Sequence, residues 1–187
     1  MVDASLKTPL HGWHSSHQGR LVDFAGWSMP VQYSSIVDEH HATRKSVGLF
    51  DISHMGRVEF QGDRALEFLN GLVTRRVDRL KPRGIRYSLM TNERGGILDD
   101  VLVYHLERPN GSPQVMMVVN ASNRDKILAW IDANKCADNP VSVIDRSLET
   151  AMIAIQGPAA GGLVDPMLDI DLAGMKSYTG AIAQIDG

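Results

Sequence analysis

Two strand-like runs, Ile85-Arg86-Tyr87-Ser88-Leu89-Met90 and Gly96 to Leu106, flank Asn92-Glu93-Arg94-Gly95, and no other segment constrains the fold so tightly. A short Gly-containing connection between two such runs predicts a β-hairpin. Val115 to Asn120 follows the turn residues Arg108-Pro109-Asn110-Gly111 and is nearly all apolar, so it is expected to be a strand buried on both faces. Around this nucleus the pattern predicts an alternating strand over 57–61 and a helix after Gly62-Asp63. Asp63 is the expected N-cap of that helix, and Ala65, Leu66, Phe68, Leu69 and Leu72 form its apolar stripe. A helix is predicted over 35–45, stopped by Gly48, and another from a Ser122 or Asn123 cap to about Asn134, with Ile127, Leu128, Trp130 and Ile131 inward. Further strands are expected near 141–144 and 151–155, then a short helix of small residues after Gln156-Gly157-Pro158. The segment 22–33, with aromatics around Gly26 and Pro30, reads as irregular or short-strand. This order implies an α+β fold with mostly antiparallel sheets flanked by helices.

Composition excludes several classes. The chain has 187 residues, 43% hydrophobic and 22% charged, a globular mixture able to bury a core without disulfides. A net charge of -3 gives no general pull toward nucleic acid or an anionic membrane, and neither is expected as a partner. The single cysteine, Cys136, rules out an internal disulfide framework and a multi-cysteine zinc site. The first residues hold no apolar run of signal-peptide length and no later run approaches a membrane span, so a soluble protein of the reducing cytoplasm is expected.

The histidines suggest no metal. His40 and His41 are adjacent, so on a helix they diverge by about 100° and do not form an i, i+4 ligand pair. His11, His14 and His17 have i, i+3 spacing, but Gly12 and Trp13 intrude and no acidic or cysteine partner is adjacent. His54, between Ser53 and Met55-Gly56, reads either as a polar site residue or as a local turn-former. Gly157 to Gly162 lacks the Gly-Lys-Ser/Thr ending of a phosphate loop and the Gly-x-Gly-x-x-Gly pattern.

Asp99-Asp100 is the feature that composition would not predict. Carboxylates are poor strand formers, yet these two sit between Ile97-Leu98 and Val101-Leu102-Val103. Alternation puts Asp100 on the face of Leu98, Leu102, Tyr104 and Leu106, and Asp99 on that of Ile97, Val101, Val103 and His105. Neither face reads as the solvent side, so at least one carboxylate should be partly buried. Burial costs several kcal/mol without partners and commonly marks a site, although pairing with a nearby arginine is the plainer reading.

Several segments in order carry a resemblance: Thr8-Pro9-Leu10, Val22 to Trp27 with Met29 to Tyr33, Asp38-Glu39-His40-His41 with Arg44, Phe50 to Gly56, Tyr87-Ser88-Leu89-Met90, Gly95 to Asp100, Val118 to Ala121 and Gln156-Gly157-Pro158. Over about 8–158 the chain resembles the T proteins of the glycine cleavage system. The resemblance implies tetrahydrofolate-dependent aminomethyl transfer: a lipoyl-bound aminomethyl group is taken from a carrier H protein, ammonia is released, and the carbon unit leaves as 5,10-methylenetetrahydrofolate. It places the key carboxylate on Asp100, hydrogen-bonding the folate near N10 and stabilising developing positive charge from a buried pocket. It implies Met55 and Tyr87 as packing groups of the folate pocket, with Val118 and Asn120 on the strand beside them, and no metal. A non-catalytic folate-binding relative and a folate-dependent demethylase share the resemblance and stand as alternatives, as does an interaction module without a ligand. T proteins are about twice this length, so the chain is expected to be the N-terminal part of a truncated T-protein-like, folate-binding fold. Two interwoven subdomains without a clean boundary are expected, lacking the later arginines and the C-terminal β domain.

Overall fold

The computed structural model describes residues 5–135 and 140–185, so Cys136 lies outside the described residues. In chain order the elements are α1 (His11–Ser16), β1 (Arg20–Phe24), β2 (Trp27–Gln32), α2 (Ile36–Lys45), β3 (Gly48–Asp51), β4 (Gly56–Gln61) and α3 (Ala65–Asn70). There follow β5 (Gly84–Thr91), β6 (Ile97–Glu107), β7 (Pro113–Val119), α4 (Arg124–Ala133), β8 (Ser142–Asp145), β9 (Ile153–Gln156) and α5 (Ala160–Val164). All strand pairings among these are antiparallel, which gives the expected α+β class. Among the described residues no helix is long and apolar enough to cross a membrane.

The chain divides into two units with interleaved segments: Met55–Ser147 with Gly174–Gln184, and the described residues of Met1–His54 with Leu148–Ala173 and Ile185. The first of these is built on a five-stranded sheet in the order β5-β6-β7-β4-β8. Its hairpin turns at Asn92, whose side-chain oxygen accepts the N–H groups of Arg94 (3.0 Å) and Gly96 (2.8 Å), while Gly95 takes φ +78°. An Asx turn closed by a left-handed glycine is what this short connection requires. One face of the sheet buries Val58, Phe60, Val101, Val103 and Met117 with Leu69 of α3 and Ile127 and Ile131 of α4.

Two local expectations fail here for identifiable reasons. Strand β4 does not alternate: its first five residues are all buried, because it lies between β7 and β8 and its polar Arg57 and Glu59 are covered on the second face. Asp63 does not cap α3; Arg64 holds that position without a side-chain cap, and the Ala65 N–H is already satisfied by the Gly62 carbonyl at 3.1 Å.

The second unit holds two short ribbons, β1–β2 and β3–β9. The segment read as irregular or short-strand is the β1–β2 hairpin, reversed at Ala25 (φ 52°) and Gly26 (φ 81°). Two successive left-handed residues match the twist of a two-residue hairpin. Helix α2 begins where Ser35 caps it, its hydroxyl accepting the Asp38 N–H at 3.1 Å.

Candidate functional site

Asp99 and Asp100 lie on opposite faces of β6 with opposite surroundings. Asp99 is 3% exposed. Its carboxylate accepts the Asn120 N–H (2.9 Å), the Asn120 side-chain amide (2.8 Å) and the Asn123 side-chain amide (2.6 Å). Three donors meet the hydrogen-bonding demand that makes a buried carboxylate tolerable. Asp100 is exposed. The buried carboxylate expected at position 100 is therefore Asp99, because the Asp99 face packs on the helices while the Asp100 face is the open one. The partner of the buried acid is an asparagine clasp and not an arginine.

Asn120 joins the two acids. Its amide nitrogen also lies 2.8 Å from Asp100 Oδ1 and 3.3 Å from the Asp100 carbonyl, so acceptors surround it and fix which way the amide points. Asn120 sits immediately after β7, and β7 pairs with β6 through Leu102 and Val118.

Register then assembles the open face. Leu89 lies opposite Asp100, Tyr87 opposite Leu102, and Leu102 opposite Val118, so Tyr87, Asp100 and Val118 share one side of the sheet. Tyr87 is 42% exposed and its phenol shares this face with the Asp100 carboxylate. Desolvation first, then the nearby Asp100 carboxylate and Tyr178, push the phenol above its usual pKa. The group therefore stays protonated at neutral pH. Val118 is buried beneath its neighbours. Met55 is half-buried directly before β4, and Gly56 pairs with Val119, so Met55 stands at the same end of the sheet as Asn120. Its carbonyl accepts Arg57 Nη1 at 2.6 Å. The five residues singled out in the sequence thus fall within one unit, three of them on adjacent strands β5, β6 and β7 and Asn120 directly after β7.

Beside this site the same face carries an ionic row. Glu59 accepts from Arg108 at 2.5 Å and Arg146 at 3.1 Å. Burial pushes its carboxyl up, but hydrogen bonds from Gln61 and Arg146 and the charges of Arg108 and Arg146 outweigh this and hold it below the usual range.

Sequence reasoning missed Asn123 and Tyr178. Asn123 was legible only as a helix cap, yet it makes no cap bond and its side chain goes to Asp99. Tyr178 comes from a distant segment whose carbonyl accepts the Ile85 N–H at 2.8 Å. Three histidines have partners within the other unit. His14 is buried between the Tyr33 hydroxyl (2.6 Å) and Asp51 (2.8 Å), His17 stacks on Trp13 at 4.0 Å, and the His54 ring meets Phe24 edge-on at 5.3 Å. Among the described residues no three His, Cys, Asp or Glu side chains come together as a metal site.

A family model described as the GCVT N-terminal domain matches residues 10–187. The chain belongs to that family. Among relatives of this GCVT-family chain, the aminomethyltransferase of Desulfitobacterium hafniense is 41% identical over 181 residues, which are 97% of this chain and 48% of that protein. The aminomethyltransferase of Bdellovibrio bacteriovorus is 46% identical over 174 residues, 92% of this chain and 46% of that protein. The crystal structure of the glycine cleavage system aminomethyltransferase T from Bartonella henselae superposes with a TM-score of 0.86 at 32% identity, covering 96% of this chain and 48% of that one. The GCVT-family chain therefore spans about half the length of these relatives.

Proposed function

We propose that this chain is the carboxylate-bearing, N-terminal part of the folate-binding region of an aminomethyltransferase of glycine cleavage. The observation that carries the reading is Asp100, held by Asn120 and neighboured by Tyr87 on the open face of the sheet, in a chain of this family. A carboxylate acceptor beside a phenol, with Leu89, Leu102 and Val118 around them, suits a flat heteroaromatic amine better than it suits a metal or a phosphate. Tetrahydrofolate, when bound, supplies the amine that takes up the one-carbon unit delivered by a lipoylated carrier protein.

The chain's own residues do the holding. Asp100 accepts an N–H of the ligand and presents a fixed negative charge where positive charge develops, a preorganised contribution that solvent does not match. Asn120 holds Asp100 in place and is itself anchored on Asp99, so the acid is oriented by the sheet. Tyr87 offers its ring as a wall beside the same carboxylate; Met55 and Val118 pack at the same end of the sheet. The two interleaved units are, in this reading, subdomains of that region.

Calorimetry with tetrahydrofolate on the wild-type chain and Asp100→Asn tests the proposal. A hydrogen bond to a charged group predicts a loss of about 10–100-fold in affinity for the variant. Equal affinity in the two proteins removes Asp100 from the site, and no binding to either removes folate from this chain's own capabilities.

A further inference from the structure

Asn123 stands at the start of α4, where an asparagine normally turns its side-chain oxygen back to the free N–H groups of the first helical turn. Here it makes no such bond. Its side-chain amide donates instead to Asp99 Oδ1 at 2.6 Å, and its backbone N–H bonds the Asn120 carbonyl at 3.0 Å. A helix start that forgoes its own cap for a carboxylate 24 positions away breaks a local preference, and breaches of that kind concentrate at functional sites.

The bonds continue from Asp99 toward the open face of the sheet. Asp99 Oδ1, the oxygen that Asn123 holds, also accepts the Asn120 side-chain amide at 2.8 Å, while Asp99 Oδ2 accepts the Asn120 backbone N–H at 2.9 Å. The same side-chain nitrogen of Asn120 reaches Asp100 Oδ1 at 2.8 Å. An amide nitrogen has two hydrogens, so one serves each carboxylate. Turning the amide over would set its oxygen against two anions. Asn123 is thus the inner end, and Asp100 the outer end, of one run of hydrogen bonds through the sheet. The donors along it are amides. Arg124, the next residue after Asn123, is turned to Asp145 at 2.9 Å. Amide donors orient a carboxylate while leaving it free to act on a cationic ligand group, whereas a guanidinium in their place would cancel much of its charge.

We propose that Asn123 is a positioning residue for the candidate acid, acting through Asp99 and Asn120 to hold the Asp100 carboxylate toward the open face without a neutralising cation. The inference deepens the folate reading above and rests on it, and the experiment separates the two. Dissociation constants for tetrahydrofolate are measured by calorimetry on the wild-type chain, Asn123→Ser, Asp100→Asn and the double variant. Serine is a good helix cap but is too short to replace the bond to Asp99, so the thermal midpoint of Asn123→Ser should not fall. Its affinity should nevertheless fall about fivefold, and the same substitution in the Asp100→Asn background should change affinity less than about twofold. An equal loss in both backgrounds overturns the proposal, because Asn123 would then act without Asp100. Unchanged affinity in Asn123→Ser also overturns it. Ile131→Val, a core change in the same helix, should leave affinity unaltered; a loss as large as that of Asn123→Ser assigns the effect to α4 packing and overturns it as well. Hydrogen exchange of the side-chain amides in the wild type needs neither variant nor ligand. Those of Asn120 and Asn123 should exchange at least tenfold more slowly than that of exposed Asn110. Exchange at the rate of Asn110 overturns the run of bonds. If the wild type binds no tetrahydrofolate, the folate reading falls, and slow exchange at Asn120 that becomes fast in Asn123→Ser sustains Asn123 as the anchor of Asp100.

Discussion

The two units of this chain are held together by different means. In Met55–Ser147 with Gly174–Gln184, a five-stranded sheet rests on α3 and α4 over a continuous apolar core, and the whole buried cluster of the described residues, from Val58 to Val141, belongs to it. The other unit has two two-stranded ribbons, and α2 within it buries no residue; Ile36, Val37 and Leu49 are exposed. Its clearest internal tie is polar: His14 between Tyr33 and Asp51, with Asp51 Oδ1 accepting the Ser53 N–H at 2.9 Å. A site that must hold a carboxylate still is found on the unit with the core. Apolar packing fixes a strand along its whole length, whereas a polar tie fixes only the groups that make it.

Breaking the core gives the largest expected effect. Leu69→Ala, at a fully buried position, should cost about 2–5 kcal/mol and lower the denaturant midpoint of the sheet unit, carrying the Asp100 site with it. If the variant unfolds no more easily than the wild type, the contrast between the units fails. Asp99→Ala comes next, at about 2–3 kcal/mol, because the Asn120 and Asn123 donors lose a buried acceptor. It should also loosen Asp100, so tetrahydrofolate affinity falls although the substituted residue faces away from the ligand. A stability loss with unchanged affinity would show that Asn120 holds Asp100 without help from Asp99.

His14→Ala tests the other unit. It should cost about 1–2 kcal/mol and raise hydrogen exchange in β2 and β3 while leaving β6 and β7 protected. Acid sharpens the same contrast. For Asp51, burial acts first and upward, but hydrogen bonds that include those from Ser53 and His14 outweigh it, so its folded pKa lies below the usual value. Glu59 in the sheet unit is depressed likewise. A depressed carboxylate adds stability that is complete above its unfolded pKa and is lost as pH falls through the folded one. Stability should therefore decline as pH drops below the ordinary carboxylate range, with exchange at β3 accelerating before exchange at β6. Equal acceleration in both would show that the ionic row around Glu59 matters as much as the core beneath it. The smallest expected effect on stability is that of Asp100→Asn, within about 0.5 kcal/mol by thermal melting, because the residue is exposed.

Much of the architecture was legible from local chemistry. The Asn92–Gly96 turn, the apolar run of β7 and the Ile127/Ile131 spacing of α4 each follow from forces acting within a few residues, so periodicity and turn residues suffice to find them. The same spacing put Asp99 and Asp100 on opposite faces of β6. Which of the two would be buried was not legible, because that depends on where the helices pack, and both faces of β6 carry apolar residues. Asn123 shows the limit from another side: a cap residue at a helix start was diverted to a carboxylate 24 positions away that happened to lie nearer. The basic run 75–86 was passed over in the sequence, and the fold turns it into a groove beside Tyr87.

Sequence by itself determined the family, the hairpin and the candidate acid, since these are written in residue types and their short-range order. Tertiary structure decided that Asn120 binds both acids, that Asp99 anchors and Asp100 faces outward, and that four cations meet two tyrosines at the sheet's edge. Those outcomes turn on which distant segments come within hydrogen-bonding reach, and that distance is set by strand register and helix packing rather than by spacing along the chain.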